Sequence, residues 1–277
     1  MNKVVLINFA DERYKEAQKL NTWSGRHIAK FDEVYEYSMN DIDANFKDEH
    51  ADIFQMKRGN GLWLWKPYLI KKALDTMKMG DILFYCDSGA CFFRGVKGIL
   101  LKLEHQDIWL SALPLKEKQF TKKLTFELLD CNYEEYKETA QVSGTFCAFR
   151  KSDFSSRFIE EWLQCCCNIG ALAPSDDETL EESYFFAHRE DQSILSLLAK
   201  KYGLMVWSDP SQYGRLPEKY IRPGCEMVYY GGKPGTTDYP ICILHHRTKE
   251  GNKKVLFNQF LCAVLPRKVG LKLIKHT

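Results

Sequence analysis

Gly80-Asp81-Ile82-Leu83-Phe84-Tyr85-Cys86-Asp87-Ser88-Gly89 decides how this chain is read. After a Gly-Asp turn, apolar residues run unbroken from Ile82 to Cys86. A short apolar run between turn residues predicts a buried strand, central and parallel. It ends in an aspartate, a serine and a glycine. In open α/β sheets ligands bind beyond the carboxyl ends of the strands. A carboxylate there needs a counter-charge. A divalent cation carrying a diphosphate supplies one, because Mg²⁺ is commonly held by one or two carboxylates plus phosphates. The alternative is that Asp87 caps a helix or opens a turn.

Outward from this strand the chain alternates. Val4 to Phe9 predicts a first buried strand, ending in Asn8-Phe9-Ala10, and a polar helix follows from about Asp11. Val34 to Tyr37 reads as a second strand and Asp43 to Met56 as a helix. Arg58-Gly59-Asn60-Gly61 is a loose turn, and Pro67 suits the first turn of a helix running to Met79. Beyond Gly89, Val96 to Leu103 predicts a helix and Ile108 to Leu113 a strand. Lys116 to Lys123 reads as a basic surface segment. Gly144 to Arg150 alternates like a strand. In Phe154 to Cys167, Phe154, Phe158 and Trp162 recur at helical spacing. Pro174 to Glu182 is an acidic loop, and Asp191 to Tyr202 a helix. Residues 208–240 are rich in Gly, Pro and Tyr and read as irregular covering. Ile241 to Leu244 is a last strand, followed by His245-His246-Arg247. Strands alternating with helices indicate an α/β layout with a mostly parallel central sheet.

The bulk numbers narrow the function. The 277 residues carry a net charge of +2, which argues against a nucleic-acid binder. The ten cysteines include no Cys-x-x-Cys pair, and Cys165-Cys166-Cys167 on a helix point apart, so free thiols in a reducing cytoplasm are expected. The start lacks a signal-peptide pattern, and no stretch is long and apolar enough to span a bilayer. Gly-x-Gly-x-x-Gly, Gly-x-x-x-x-Gly-Lys-Ser/Thr and Gly-x-Ser-x-Gly are all absent.

Three segments taken together carry a resemblance. They are Gly61-Leu62-Trp63-Leu64-Trp65-Lys66-Pro67-Tyr68, then Tyr85-Cys86-Asp87-Ser88-Gly89, then His188-Arg189-Glu190-Asp191-Gln192-Ser193. In this order they resemble the GT-A-fold glycosyltransferases of bacterial capsule and surface-polysaccharide assembly. More distantly the pattern is similar to the retaining galactosyl- and glucosyltransferases related to glycogenin. The resemblance runs from Val4 to about Arg247. It implies a GT-A (Rossmann-like) nucleotide-diphospho-sugar transferase fold over residues 1–250, followed by a basic, apolar segment over 251–277.

The resemblance also implies roles. Asp87 stands for the first aspartate of an Asp-x-Asp motif that binds Mn²⁺ or Mg²⁺, and Gly89 replaces the second. His246, or alternatively His245, is the implied metal histidine, with His246 slightly favoured. Asp191 and Gln192 would sit at the donor sugar, with Glu190 as a reserve base. Gly144 and Thr145 begin a strand beside that sugar. Asn8, Phe9 and Ala10 lie where a base and ribose would bind. Arg58 and Lys66 are cations beside the same crevice, and Arg247 and Lys249 are within reach of a diphosphate.

The expected activity is transfer of a hexose from a nucleotide sugar, UDP-linked, to a glycan or lipid-linked saccharide acceptor, with retention. A nucleotidyltransferase and a non-catalytic nucleotide-sugar-binding relative are the alternatives. The expected location is cytoplasmic. From Lys253 to Lys275 apolar residues mix with Lys and Arg, the make-up of a segment that lies on an anionic membrane surface at its inner face. A helix docked on the domain, interrupted at Pro266 and Gly270, is the other reading.

Overall fold

The computed structural model describes residues 2–249 and 251–273. The elements that build the site follow in chain order: β1 (Val4–Phe9), α1 (Lys15–Ser24), β2 (Glu33–Tyr37), α2 (Trp65–Asp75), β3 (Ile82–Cys86), β4 (Ala90–Phe92), β5 (Ile108–Lys116) and β6 (Ala140–Arg150). Then come α3 (Asp153–Cys166), α4 (Glu190–Lys201), β7 (Ile243–His245), α5 (Lys253–Val264) and α6 (Arg267–Leu273). The alternating α/β layout read from the sequence is observed.

The main sheet has the order β2-β1-β3-β6-β5. β1 pairs parallel with β2 and with β3, while β6 lies antiparallel between β3 and β5. β3 is therefore central, parallel on one side and antiparallel on the other. Its five residues are all buried. Leu83 and Tyr85 join Val5, Ile7 and Phe149 on one face, packed under α2, α3 and α4. Phe84 and Cys86 join Leu6, Phe146 and Trp109 on the other, under Phe31, Ile99 and Phe92. The two faces follow from the period-two alternation of a strand. Each fully buried large side chain contributes about 1.5–3 kcal/mol.

Several local expectations shift. The helix expected over 43–56 breaks at His50 into Ala44–Glu49 and Ala51–Phe54. α2 ends at Asp75, short of Met79. Residues 116–123 are not a basic surface: Glu117, Gln119, Phe120, Thr121 and Lys122 are buried. The cause is a buried network in which Glu117 accepts from Thr121, Ser196 and Lys200. The last strand, β7, pairs with β4 in a separate two-stranded sheet instead of extending the main one. All ten cysteines are free.

The C-terminal segment forms two helices with a break at Leu265-Pro266. Gly270 does not interrupt α6; it is buried, and a Cβ there would lie 3.1 Å from Leu216 Cδ1. One side of this pair docks on the domain. Ala263 and Leu256 pack with Cys91, Ile241 and Leu244, and Gln212 donates to Gln259 Oε1 (2.9 Å). Residues 274–277, the end of the stretch expected at a membrane, lie outside the described residues. No helix among the described residues is long and apolar enough to cross a membrane.

Candidate active site

Because β1 and β3 run parallel with Val4 opposite Ile82, their carboxyl ends finish side by side. Hydrogen bonds stitch those ends together. Ser88 Oγ donates to the Phe9 carbonyl (2.6 Å). Asn21, on α1, donates to the carbonyls of Asp87 (3.3 Å) and Ala90 (2.9 Å). The Asp87 amide donates to the Thr145 carbonyl of β6 (3.0 Å). The turn after β3 is thereby fixed from three directions, and the Asp87 carboxylate projects, about one third exposed, into a cleft above the strand ends.

One wall is built on unusual backbone. Gly59, Asn60, Gly61, Leu62 and Trp63 all have positive φ, between 52° and 89°. Left-handed backbone costs a non-glycine residue about 1–2 kcal/mol, so Asn60, Leu62 and Trp63 are strained. Asn60 is held by its donation to Asp11 Oδ2 (3.1 Å), and the Gly59 carbonyl accepts from Trp65 Nε1 (2.8 Å). No side chain fits at position 59, where a Cβ would lie 2.3 Å from the Trp63 ring. The turn directs Arg58 and Trp63 into the cleft. Strain of this kind clusters where ligands bind. Two glycines in the sequence signalled flexibility, not a left-handed turn.

The cleft has two lobes that share Trp63, Asp87, His245 and Arg247. The inner lobe, about 400 Å³, is lined by Phe9, Ala10, Asp11, Arg13, Trp65, Gly89 and Lys249. Phe9 stacks on Trp65 with ring centroids 3.7 Å apart. The outer lobe, about 440 Å³, is lined by Arg58, Lys66, Thr145, Glu190, Asp191 and Gln192 on one side. Phe120, Phe186, Arg189, Tyr220 and Arg222 line the other.

A buried charge chain forms the floor of the outer lobe. Lys66 Nζ lies 3.0 Å from Asp191 Oδ2 and 3.8 Å from Asp87 Oδ1, and donates to the Gly144 carbonyl (3.1 Å). Burial alone would push the ammonium down, but Asp191 and Asp87 outweigh it and hold it above its ordinary value. Burial pushes the Asp191 carboxyl up to about 7, against the pull of Lys66. Gly144 lies directly beneath the pair: a Cβ there would be in ordinary contact with Asp191 Oδ2 (3.4 Å) and Lys66 Nζ (3.5 Å). The Gln192 side chain accepts from the Gly144 amide (3.2 Å) and donates to Gln141 (2.8 Å). Glu190, itself at positive φ, takes Arg58 in an ion pair of 2.5 Å. Burial raises the Glu190 carboxyl, and Arg58 opposes it. His188, one residue before the outer-lobe arginine, is a structural histidine. Its Nδ1 accepts from the Lys122 amide (3.3 Å), Nε2 lies 3.1 Å from the Ala171 carbonyl, and burial drives it down to about 3.

Of the residues singled out in the sequence, Phe9, Ala10, Asp87, His245, Arg247 and Lys249 meet in the inner lobe. Arg58, Lys66, Thr145, Glu190, Asp191 and Gln192 meet in the outer one. Three do not reach the cleft as expected. Asn8 is fully buried below it, bonded to Asn21 (2.8 Å), Thr22 (3.1 Å) and Gln18 (3.0 Å), so its side chain faces no ligand. Gly144 acts beneath the lobe through its backbone. His246 is buried and lines neither lobe, with its Nδ1 accepting from the Thr248 amide (3.2 Å). His245 ends β7 and lines both lobes, while His246 is the first residue past the strand. Arg58 and Lys66, singled out as cations beside the crevice, line it and are both committed to carboxylates. Arg13, on the short 3-10 helix Glu12–Tyr14, and Tyr220 and Arg222 also line the walls, and no local sequence pattern marks them.

The donor set bears on a metal. Among the described residues no three His, Cys, Asp or Glu side chains converge on one point. Ser88 is spent on Phe9, and Gly89 offers no carboxylate. His245 Nε2 accepts from Arg247 Nε (3.3 Å), and burial drives its imidazole well down, so it stays neutral. One partly exposed carboxylate beside a neutral imidazole fits a cation carried in by a diphosphate, not a resident metal cage.

Fold and site together describe an α/β protein with a two-lobed, cation-lined cleft over the strand ends. No family profile matches the chain, and no curated protein matches it significantly. Among solved structures the chain is similar to mouse xyloside xylosyltransferase 1 in its apo form, at 10% identity and a TM-score of 0.43, over 74% of this chain and 83% of that one. It is also similar to the glycosyltransferase GlyE of Streptococcus pneumoniae TIGR4, at 14% identity and a TM-score of 0.47. That match covers 98% of this chain and 63% of GlyE, less than two thirds of its length. A third neighbour is core-mannan synthase A of Aspergillus fumigatus in a Mn/GDP form, at 10% identity and a TM-score of 0.43, over 72% and 70% of the two chains.

Proposed function

We propose that the protein is a glycosyltransferase that moves a hexose from a nucleotide sugar, UDP-linked, to a glycan or lipid-linked saccharide. The observation that carries the reading is the Asp87 carboxylate standing where the two lobes meet, above the Lys66–Asp191 floor. In this reading the nucleotide lies in the inner lobe against Phe9 and Trp65. Its diphosphate meets Arg247 and Lys249, and the hexose lies over Asp191 and Gln192. A divalent cation, Mn²⁺ or Mg²⁺, would be held by Asp87 beside His245 and supply charge neutralisation at the leaving group.

In the transfer, the bond from the sugar C1 to the diphosphate oxygen breaks and its electron pair stays on that oxygen. The acceptor hydroxyl oxygen bonds C1 and its proton passes to the leaving phosphate. Arg247 and Lys249 stabilise the charge that develops there. Retention is supported by Glu190, the carboxylate an inverting route would use as base, being held by Arg58.

Calorimetric titration with UDP-, GDP-, CMP- and ADP-sugars, with and without Mn²⁺, tests the donor reading. UDP-sugars are expected to bind, more tightly with Mn²⁺, while Mn²⁺ alone gives no tight site. Silence across the panel would refute the assignment.

Peripheral membrane contact belongs to the same proposal. Phe257, Phe260 and Val264 of α5 and Val269 and Leu273 of α6 are exposed, as are Lys253, Lys254, Lys268 and Lys272. Apolar residues beside lysines suit an anionic bilayer. Co-sedimentation with phosphatidylglycerol vesicles, absent with phosphatidylcholine and lost in Phe257→Glu, is the expected result. Equal sedimentation with both lipids would count against it.

A further inference from the structure

The outer lobe holds more positive charge than its own carboxylates can meet. Arg58 is neutralised by Glu190, and Lys66 by Asp191 and Asp87. Those three are the carboxylates of the lobe lining among the described residues. Arg189, Arg222 and Arg247 line the same hollow, and among the described residues none has a carboxylate within ion-pair distance. His188 adds no positive charge, since burial drives it down.

Two of the three arginines, Arg189 and Arg247, are placed by aromatic faces instead. Arg189 lies 5.1 Å from the Phe120 ring and 6.0 Å from the Tyr220 ring, and Arg247 lies 4.8 Å from Tyr220 on its other contact. A guanidinium resting on an aromatic ring keeps its planar donor edge for a bidentate anion. Arg247 stands between the lobes and answers to the diphosphate. Arg189 and Arg222 lie in the outer lobe alone, beyond reach of the inner one. Like charges gathered in a cleft concentrate an anionic ligand. The neighbouring rings of Phe120, Phe186 and Tyr220 offer apolar faces for a sugar.

We infer that the outer lobe selects an acceptor saccharide bearing an anionic group, a phosphate ester or a carboxylate, held by Arg189 and Arg222. This rests on the glycosyl-transfer reading above and names the acceptor's chemistry within it. The acceptor hydroxyl faces Asp87 while its charged group lies against the outer arginines, so charge sets the orientation of the ring.

The test is titration of the full chain, loaded with UDP and Mn²⁺ and also free of them, with α-glucose 1-phosphate, glucuronate, methyl α-glucoside and inorganic phosphate. An anionic sugar is expected to bind at least about tenfold more tightly than the neutral glycoside. Whichever of glucose 1-phosphate and glucuronate binds better identifies phosphate or carboxylate as the source of the charge. Arg189→Gln and Arg222→Gln are each expected to weaken that binding about tenfold. The same variants should keep UDP affinity within about twofold and the unfolding temperature unchanged. Equal binding of the neutral glycoside overturns the inference, as does binding that survives both substitutions. So does inorganic phosphate binding as tightly as the sugar phosphate, which would mark an adventitious ion only. Loss of UDP binding in the unsubstituted chain strikes the donor reading instead, and the nucleotide-free titration then judges the arginine site by itself.

Discussion

Lys66→Met is expected to destabilise the folded chain by about 3–5 kcal/mol, the usual effect of removing one partner of a buried ion pair. Methionine fills most of the lysine's volume, so the loss is electrostatic. It leaves the buried Asp191 carboxyl with no cation beside it and with Asp87 and Glu190 still adding negative potential. The pH dependence follows from the sign of the shift. The folded-state value for Asp191 is already pushed up to about 7, well above its unfolded value of 3.8. A carboxyl shifted this way contributes stability that is fully present below the unfolded value and lost as pH rises through the folded one. Without Lys66 the folded value rises further. The gap between Lys66→Met and the unsubstituted chain should therefore be small near pH 5 and widest at pH 8 and above. Urea unfolding at pH 5, 6.5 and 8 measures it. A gap that stays flat across this range, or stays under about 1 kcal/mol, would show that Lys66 does not neutralise Asp191.

Asp87→Ala should act in the opposite sense, lowering stability less than Lys66→Met and removing turnover. Asp87 is partly exposed, and its 3.8 Å approach to Lys66 is secondary to the 3.0 Å contact from Asp191. The buried Tyr85 hydroxyl loses its acceptor, so a loss of about 1–3 kcal/mol is expected. Transfer from the nucleotide sugar should fall by at least about a hundredfold, the scale of losing one electrostatic stabiliser of the departing group. Binding of nucleotide with Mn²⁺ should fall with it, while binding without Mn²⁺ changes little. Activity that persists in Asp87→Ala at saturating Mn²⁺ would sink the assignment. The contrast between the two variants separates the residue that meets the substrate from the residue that makes the floor.

Much of the scaffold was legible before any coordinates. β3 showed as an apolar run between turns, and α3 showed in the spacing of Phe154, Phe158 and Trp162. Asp87, Asp191, Gln192 and Glu190 were marked by the motifs around them, and all four line the cleft. The choice between His245 and His246 was not legible. It depends on a one-residue phase along β7 set by pairing with β4 some 150 residues earlier, Ala90 opposite His245. Residues 116–123 looked basic and exposed because Glu117's partner, Lys200, is 83 positions away. Arg222 carries no motif, and Arg189 lies in one that does not mark its charge as unmatched; that neither has a carboxylate partner among the described residues appears only when the walls close around them.

The sequence alone determined the alternation of strands and helices, the two-faced burial of β3 and the strand-end position of Asp87. These follow from side-chain size, turn chemistry and periodicity over a few residues. Tertiary structure decided which charges neutralise one another. It set Lys66 between Asp87 and Asp191, paired Arg58 with Glu190, and left Arg189 and Arg222 without a carboxylate among the described residues. Coulomb energy depends on distance and burial, and neither is a local property of the chain.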